Sequence, residues 1–351
     1  MPKSFKPTLP PSAHVLPTPQ WLNLVDEPIL EPELPIVDPH HHLWERVGNR
    51  YLLEDVLADV SSGHNVVSTV FMECRAMYRA GGDPELAPLG ETEFVNGIAA
   101  MSASGAYGPC RISEAIVGFA NLQLGSRVRR VLEAQADVSG GRWRGVRHIS
   151  AYHADPNARG SSVSAPAGLL MDRGFREGFA VLGHLGMTFD AWMYHTQLDE
   201  LYDLAKANPQ TTIILDHIGG ALGIGPYAGK RDEVFKLWKA SIDKLAQLPN
   251  VTIKLGGLGM KLCGFDFHER PKPPTSEELA KAWAPYFEAC IAAFGPDRSM
   301  FESNFPVDKP SCSYHVMWNA FKRITAKYSD AEKRALHGGT AARVYKMLPA
   351  S

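Results

Sequence analysis

His40 and His42 stand one residue apart in Asp38-Pro39-His40-His41-His42-Leu43-Trp44, directly after the apolar run Leu34-Pro35-Ile36-Val37. Side chains alternate across a strand, so a strand ending here points both imidazoles to the same side. Two such rings can hold one metal ion or one substrate oxyanion, and each can move a proton near neutral pH. Similar groups recur further along: Glu73-Cys74-Arg75 with Tyr78, Asn121 with Gln123, Arg147-His148, Asp190 with His195, Asp216-His217, and Glu302-Ser303-Asn304. Converging His, Arg and carboxylate groups are what hydrolysis of a charged carbonyl substrate requires.

Each of these groups follows a short β-rich run. The strands expected are Pro35–His40, Val66–Glu73, Ala115–Asn121, Gly145–Ser150, Gly186–Phe189, Thr212–Asp216, Thr252–Leu255 and Ser299–Ser303. Several are nearly continuous apolar runs, as parallel strands buried on both faces must be. Helical periodicity fills the intervals, as in SRVRRVLEAQAD, DRGFREGFAVLGHL, HTQLDELYDLAKANP, VFKLWKASIDKLAQLP, SEELAKAWAPYFEACIAAFG and SDAEKRALHGGTAARVYKML. Eight strands alternating with helices predict a (β/α)8 TIM barrel over residues 34–351, preceded by a Pro-rich arm over residues 1–33. A doubly wound sheet would want a glycine-rich turn after its first strand, where this chain has three histidines. Long loops are expected after strand two (Ala76–Arg111, a lid with one helix) and after strand seven (Gly256–Pro274). In a barrel both sit on the C-terminal face, where all the strand-end groups would converge.

Composition narrows the partners. The 351 residues carry a formal net charge of -2, which gives no footprint for nucleic acid. No apolar run reaches the ~20 residues needed to cross a bilayer. The N-terminus lacks the apolar stretch of a secretory signal, and five scattered cysteines with no C-x-x-C predict reduced thiols in a cytoplasm. The arm would lie on the barrel or reach a second subunit of a homo-oligomer; the partner otherwise expected is a small-molecule substrate. Gly219–Gly225 reads as a loop over the end of strand six rather than a phosphate cradle, and Cys74 as a packing thiol.

Val37-Asp38-Pro39-His40-His41-His42-Leu43-Trp44, Gly145-Val146-Arg147-His148, Phe189-Asp190 with His195-x-Gln197-Leu198, Leu215-Asp216-His217-Ile218-Gly219 and the ending Gly338-Gly339-Thr340-Ala341-Ala342-Arg343-Val344-Tyr345 occur in that order. Together they resemble the amidohydrolase-2 family of TIM-barrel, metal-dependent hydrolases, and within it the sugar-lactone and dicarboxylate-lactone hydrolases. The resemblance implies hydrolysis of a lactone ester. It places His40, His42 and His217 at the positions of a divalent metal, zinc first, with His148 and His195 lining the pocket. Where the family carries Gly-Ser-Asp-Trp-Pro on strand eight, this chain has Glu302-Ser303-Asn304-Phe305-Pro306.

Asparagine cannot take a proton from water and binds metal less well than a carboxylate. The carboxylate role therefore falls to Glu302, one layer below Asn304 by strand parity, or to Glu73 or Asp190; a site working without metal is the alternative. The expected catalytic set is His40, His42, His148, His195, His217, Glu302 and Asn304. Glu73, Arg75, Tyr78, Arg147 and Asp190 are expected to bind substrate, the arginines by pairing with a carboxylate. Two other functions are compatible with these residues: non-oxidative decarboxylation of an aromatic or unsaturated acid, and ligand binding without catalysis.

Overall fold

The structure, a computed structural model, describes residues 8–14, 16–160 and 164–347. The first seven residues of the arm, residue 15, residues 161–163 and residues 348–351 lie outside the described residues. Eight parallel strands form one sheet in chain order: β1 (Ile36–His41), β2 (Val66–Met72), β3 (Arg111–Gly118), β4 (Trp143–Arg147), β5 (Thr188–Ala191), β6 (Ile213–Leu215), β7 (Val251–Leu255) and β8 (Ser299–Phe301). The ring closes just beyond β8, where Phe305 pairs with His41. At this seam Asn304 N donates to His40 O at 2.9 Å and His42 N to Phe305 O at 2.8 Å. Asp38 adds a side-chain clasp, its Oδ1 accepting from Ser303 N at 2.9 Å. This is the (β/α)8 barrel expected from the sequence.

The strands hold because they are buried on both faces. In β5, Phe189 packs outward on Phe175 and Phe179 of the helix Arg173–His184, ring centroids 6.0 and 5.1 Å away. Full burial of each such ring contributes about 1.5–3 kcal/mol. Strand ends differ from expectation where the backbone beyond them finds partners outside the ladder. β4 stops at Arg147, since Ser150 N leaves the ladder to donate to Trp192 O at 3.0 Å.

The outer helices Val128–Val138, Leu198–Ala207, Arg231–Leu245 and Ser276–Phe294 match the periodic segments. The last periodic segment is split into Asp330–Arg334, a wide turn at Ala335–Gly339, and Thr340–Val344. Its glycines allow the split: a Cβ on Gly338 would come within 3.2 Å of Val37 N at the foot of β1. The segment after β2 does contain one helix, Leu89–Ala103, with Val95 and Ala99 buried against β3 as a member of the outer ring.

The arm lies on its own barrel. Asn49, in the short hairpin Trp44–Arg46/Asn49–Tyr51, donates through Nδ2 to Ser12 Oγ (3.1 Å) and His14 O (2.7 Å). Further along, Lys322 Nζ donates to the carbonyls of Leu30 and Glu31 at 2.8 and 2.7 Å. His14 thereby reaches the mouth of the barrel and stacks on Trp44 at 5.9 Å.

Candidate active site

Local backbone geometry decides which side chains enter the barrel mouth. Alternation along β1 sends His40 and His42 inward and His41 outward, where His41 Nε2 meets Thr69 Oγ1 at 2.9 Å. After β6 the chain turns left-handed at His217 (φ 54°) and Ile218 (φ 51°), so adjacent residues Asp216 and His217 both face the interior. Left-handed residues also follow β2 at Arg75 (φ 62°) and β8 at Asn304 (φ 54°). Such conformations cost about 1–3 kcal/mol each and cluster at functional sites. Gly256 and Gly257 make room beside them: a Cβ on Gly256 would lie 2.3 Å from Glu302 Cγ, and one on Gly257 2.4 Å from His217 Cβ.

Glu302 sits at the centre of the cluster. Its Oε1 accepts from His217 Nδ1 at 2.6 Å and from His217 N at 3.0 Å, and its Oε2 lies 2.8 Å from His40 Nδ1. Burial alone would raise its pKa, but the His217 and His40 imidazoles hold it down at about 2. Because both rings give Nδ1–H to Glu302, both carry the acceptor lone pair on Nε2. His42 does the same by another route, donating Nδ1–H to Met72 O at 2.8 Å. Burial and then Lys254 (for His40) or Arg147 (for His42) hold these two imidazoles well below the usual histidine range.

Beneath the histidines lies an ionic layer. Lys254 Nζ, fully buried on β7, binds Asp190 Oδ1 at 2.7 Å and Asp216 Oδ1 at 3.0 Å. Tyr345 adds its hydroxyl to Asp190 Oδ1 at 2.5 Å. Arg147 Nε binds Glu73 Oε1 at 2.9 Å, and Arg147 Nη1 donates to His40 Nε2 at 3.2 Å. Glu73 Oε2 remains buried without a hydrogen-bond donor.

His40, Asp216 and His217 bring ligand atoms within 4.8 Å of one another, a candidate divalent-metal group. Two observations fit a cation there. Asp216 Oδ2 is buried without a hydrogen-bond donor, with Arg147 Nη1 standing 3.9 Å away. Around the imidazoles, the four carboxylates Glu73, Asp190, Asp216 and Glu302 face two cationic side chains, Lys254 and Arg147, an acidic surplus that a divalent ion would offset. A metal on His40 Nε2 would take that lone pair from Arg147. The expected ligand set therefore keeps His40 and His217, with Asp216 as their near neighbour; His42 stands beside them, its ring centroid 4.9 Å from that of His40.

The cavity above this cluster is lined by His42, Glu73, Arg75, Arg147, His217 and Asn304 among the expected residues. Asn304 donates Nδ2–H to Asp308 Oδ1 at 2.9 Å, which leaves its buried Oδ1 without a donor. His148, Tyr78, Asp190 and His195 do not line the cavity. His148 follows inward-facing Arg147 and so points outward, between Phe119 and Phe175 (5.0 and 5.4 Å). His195 Nδ1 accepts from Leu222 N at 3.3 Å, and its ring packs on Tyr227 at 5.1 Å. Tyr78 buries its hydroxyl without a partner. The aromatic and basic wall residues that escaped the sequence reading are Trp192, whose ring meets His217 edge-on at 4.8 Å, and Trp44, Arg46 and His14. Only the aromatic and basic character of the segment after His42 signalled any of them.

Glu91, at the start of the helix after β2, fixes the Glu73–Ala76 turn. Its Oε1 accepts from Cys74 N (3.0 Å) and Ala76 N (2.8 Å), while Oε2 is buried without a donor. Burial, then repulsion from Glu73, raises its pKa to about 8. An acid whose folded pKa lies above its unfolded one binds more protons when folded, so its contribution to stability falls as pH rises between the two values. Glu91→Gln keeps the accepting oxygen and removes that slope. Relative to wild type, the variant should gain stability from pH 5 to pH 8 in urea titrations; a constant difference would refute the assignment.

Comparison with known proteins agrees with this geometry. The amidohydrolase family model matches residues 37–347. An uncharacterized protein of Sinorhizobium fredii, y4mH, is 32% identical over 337 residues, covering 90% of this chain and 99% of that protein. The L-fucono-1,5-lactonase of Burkholderia multivorans is 27% identical over 321 residues, covering 89% of this chain and 96% of the lactonase. A crystal structure of a Burkholderia multivorans amidohydrolase with bound zinc superposes with a TM-score of 0.67 at 26% identity, covering 89% of this chain and 99% of that one. A match that runs the length of the barrel, with a relative this similar over nine-tenths of the chain, makes the protein a member of the amidohydrolase family.

Proposed function

We propose that this amidohydrolase opens a small lactone by water attack at its carbonyl, with His42 taking the proton that Asn304 cannot and Glu302 positioning the imidazoles of His40 and His217. The observation that carries this reading is Glu302 held between His40 Nδ1 and His217 Nδ1 at 2.8 and 2.6 Å. A divalent ion, zinc by the His and carboxylate donor set, would be held by His40, Asp216 and His217 and would polarise the carbonyl and acidify the attacking water.

The remaining work falls to the chain itself. His42, locked by Met72 O as the Nδ1–H tautomer, presents Nε2 to the cavity and takes the proton of the attacking water. The resulting imidazolium returns that proton to the leaving alkoxide, so one residue serves both half-steps. Arg147, held in place by Glu73, faces the cavity and stabilises the developing oxyanion. Asn304, oriented by Asp308, offers its free carbonyl oxygen to the water or to a substrate hydroxyl. Glu302 touches no substrate in this scheme; it positions the two imidazoles. The lactonase relative, 27% identical, supports the ester chemistry.

The test is a panel of sugar lactones and carboxylated lactones assayed for acid release, beside aromatic acids assayed for CO2, with metal content measured before and after chelation. Acid release from a lactone, about one divalent ion per chain and loss of activity on stripping are expected. CO2 release would establish the decarboxylase reading, and an absence of turnover and metal would leave a binding barrel. Glu302→Gln should lower metal affinity or activity about 10–100-fold, as loss of a carboxylate behind metal-ligating imidazoles does.

A further inference from the structure

A second cavity opens beside the first. It has a volume of about 510 Å³ against about 90 Å³ for the cavity above the histidines. His14, Gly160, Met260, Leu262 and Val307 line both. Small-molecule sites usually occupy ~300–1,000 Å³. The inner cavity alone falls short of that range, and the outer one lies within it.

The outer cavity has its own chemistry. Its rim carries Arg159, Lys261 and His268, and no carboxylate is among the described residues that line it. The Lys261 ammonium makes no hydrogen bond or ion pair with any described residue. Among the described residues Arg159 meets carbonyls and a ring but no carboxylate, Nε donating to His153 O at 2.8 Å and Nη2 to Ala154 O at 3.3 Å, with the Tyr152 ring 6.0 Å from the guanidinium. Its guanidinium therefore keeps its full charge for a ligand. His268 lies 3.7 Å from Glu269, so Arg159 and Lys261 carry the free positive charge. Between these cations and the inner cavity the shared rim carries three apolar side chains, Met260, Leu262 and Val307, beside His14 and Gly160. Gly160 keeps the rim low, since a Cβ there would lie 2.5 Å from Leu262 Cδ2.

We infer that the outer cavity is a substrate subsite for an anionic tail: the scissile ring occupies the inner cavity, an aliphatic stem crosses the Met260/Leu262/Val307 rim, and a terminal carboxylate meets Lys261 and Arg159. The inference deepens the lactonase reading and rests on it only for the identity of the ring. It sets the substrate class as a lactone with an extended acidic side chain, larger than a simple sugar lactone.

The probes are δ-valerolactone, the same ring bearing a pentanoate chain at C5, and the two corresponding lactams, which resist hydrolysis. Wild-type protein should show kcat/KM about tenfold higher for the tailed lactone, the scale of one charge-assisted hydrogen bond. The double variant Arg159→Ala/Lys261→Ala should lose that preference through KM, with the untailed lactone unaffected. Calorimetry with the lactams separates the two readings. If neither lactone is hydrolysed but the tailed lactam binds wild type about tenfold more tightly than the double variant, the subsite stands and the proposed reaction falls. Equal kcat/KM for the two lactones, a tail preference unchanged in the double variant, or equal binding of both lactams overturns the subsite.

Discussion

Lys254→Met should cost about 3–5 kcal/mol of folding stability, because it leaves buried carboxylates without their counter-charge. The lysine is fully buried and binds Asp190 at 2.7 Å and Asp216 at 3.0 Å. Methionine fills a similar volume, so little of the loss comes from packing. The pH dependence identifies the cause. Burial already raises Asp190 to about 6 against the pull of Lys254. Without the lysine its folded pKa rises further above the unfolded value, and stability then falls as pH increases through that window. The deficit should be smallest near pH 5 and largest above pH 7. A loss below about 1 kcal/mol at pH 8, within the range of an exposed ion pair, would refute a structural role for this ionic layer.

His42→Asn should lower kcat about 10²–10⁴-fold, the usual contribution of a general acid–base residue. Asparagine keeps an amide donor near the position of Nδ1, so the bond to Met72 O can persist while the Nε2 lone pair is lost. Unfolding by urea should change little, and KM should move far less than kcat. A kcat within tenfold of wild type would remove His42 from the proton path and leave Glu73, whose Oε2 is buried and free, as the base.

Much of this was legible in the sequence because parallel barrel strands advertise themselves. VVSTVFM, TTIILD and VTIKL are buried on both faces, and each coincides with an observed strand. Strand parity also placed His40 with His42, and Glu302 one layer below Asn304. Parity misleads where the backbone leaves the extended region. Asp216 and His217 should face opposite ways, and only the left-handed turn at His217 and Ile218 brings both inside. The family resemblance, not parity, put His148 in the pocket; its neighbour Arg147 takes the inward position, and alternation turns His148 out between Phe119 and Phe175. Lys254 carried a legible signal, since a lysine inside VTIKL has nowhere to go but a buried partner. His14 carried none: the arm has no period, and its place follows from Asn49 hydrogen bonds that no spacing reveals.

The seam between β1 and β8 has a consequence for how the protein becomes active. Asp38 and Ser303, which join across it, are 265 residues apart in the chain. Every other strand pairs with the one that follows it in sequence, so those contacts can form locally and early, whereas this one demands the longest loop closure of any strand pairing. The residues that make the seam are also those that shape the mouth: His40 accepts one of its backbone hydrogen bonds from Asn304, and His42 donates another to Phe305. Ring closure and assembly of the catalytic cluster are therefore one event. In a refolding chain, helical circular dichroism would recover with the local β/α units, while turnover would return only when the first strand finds the last.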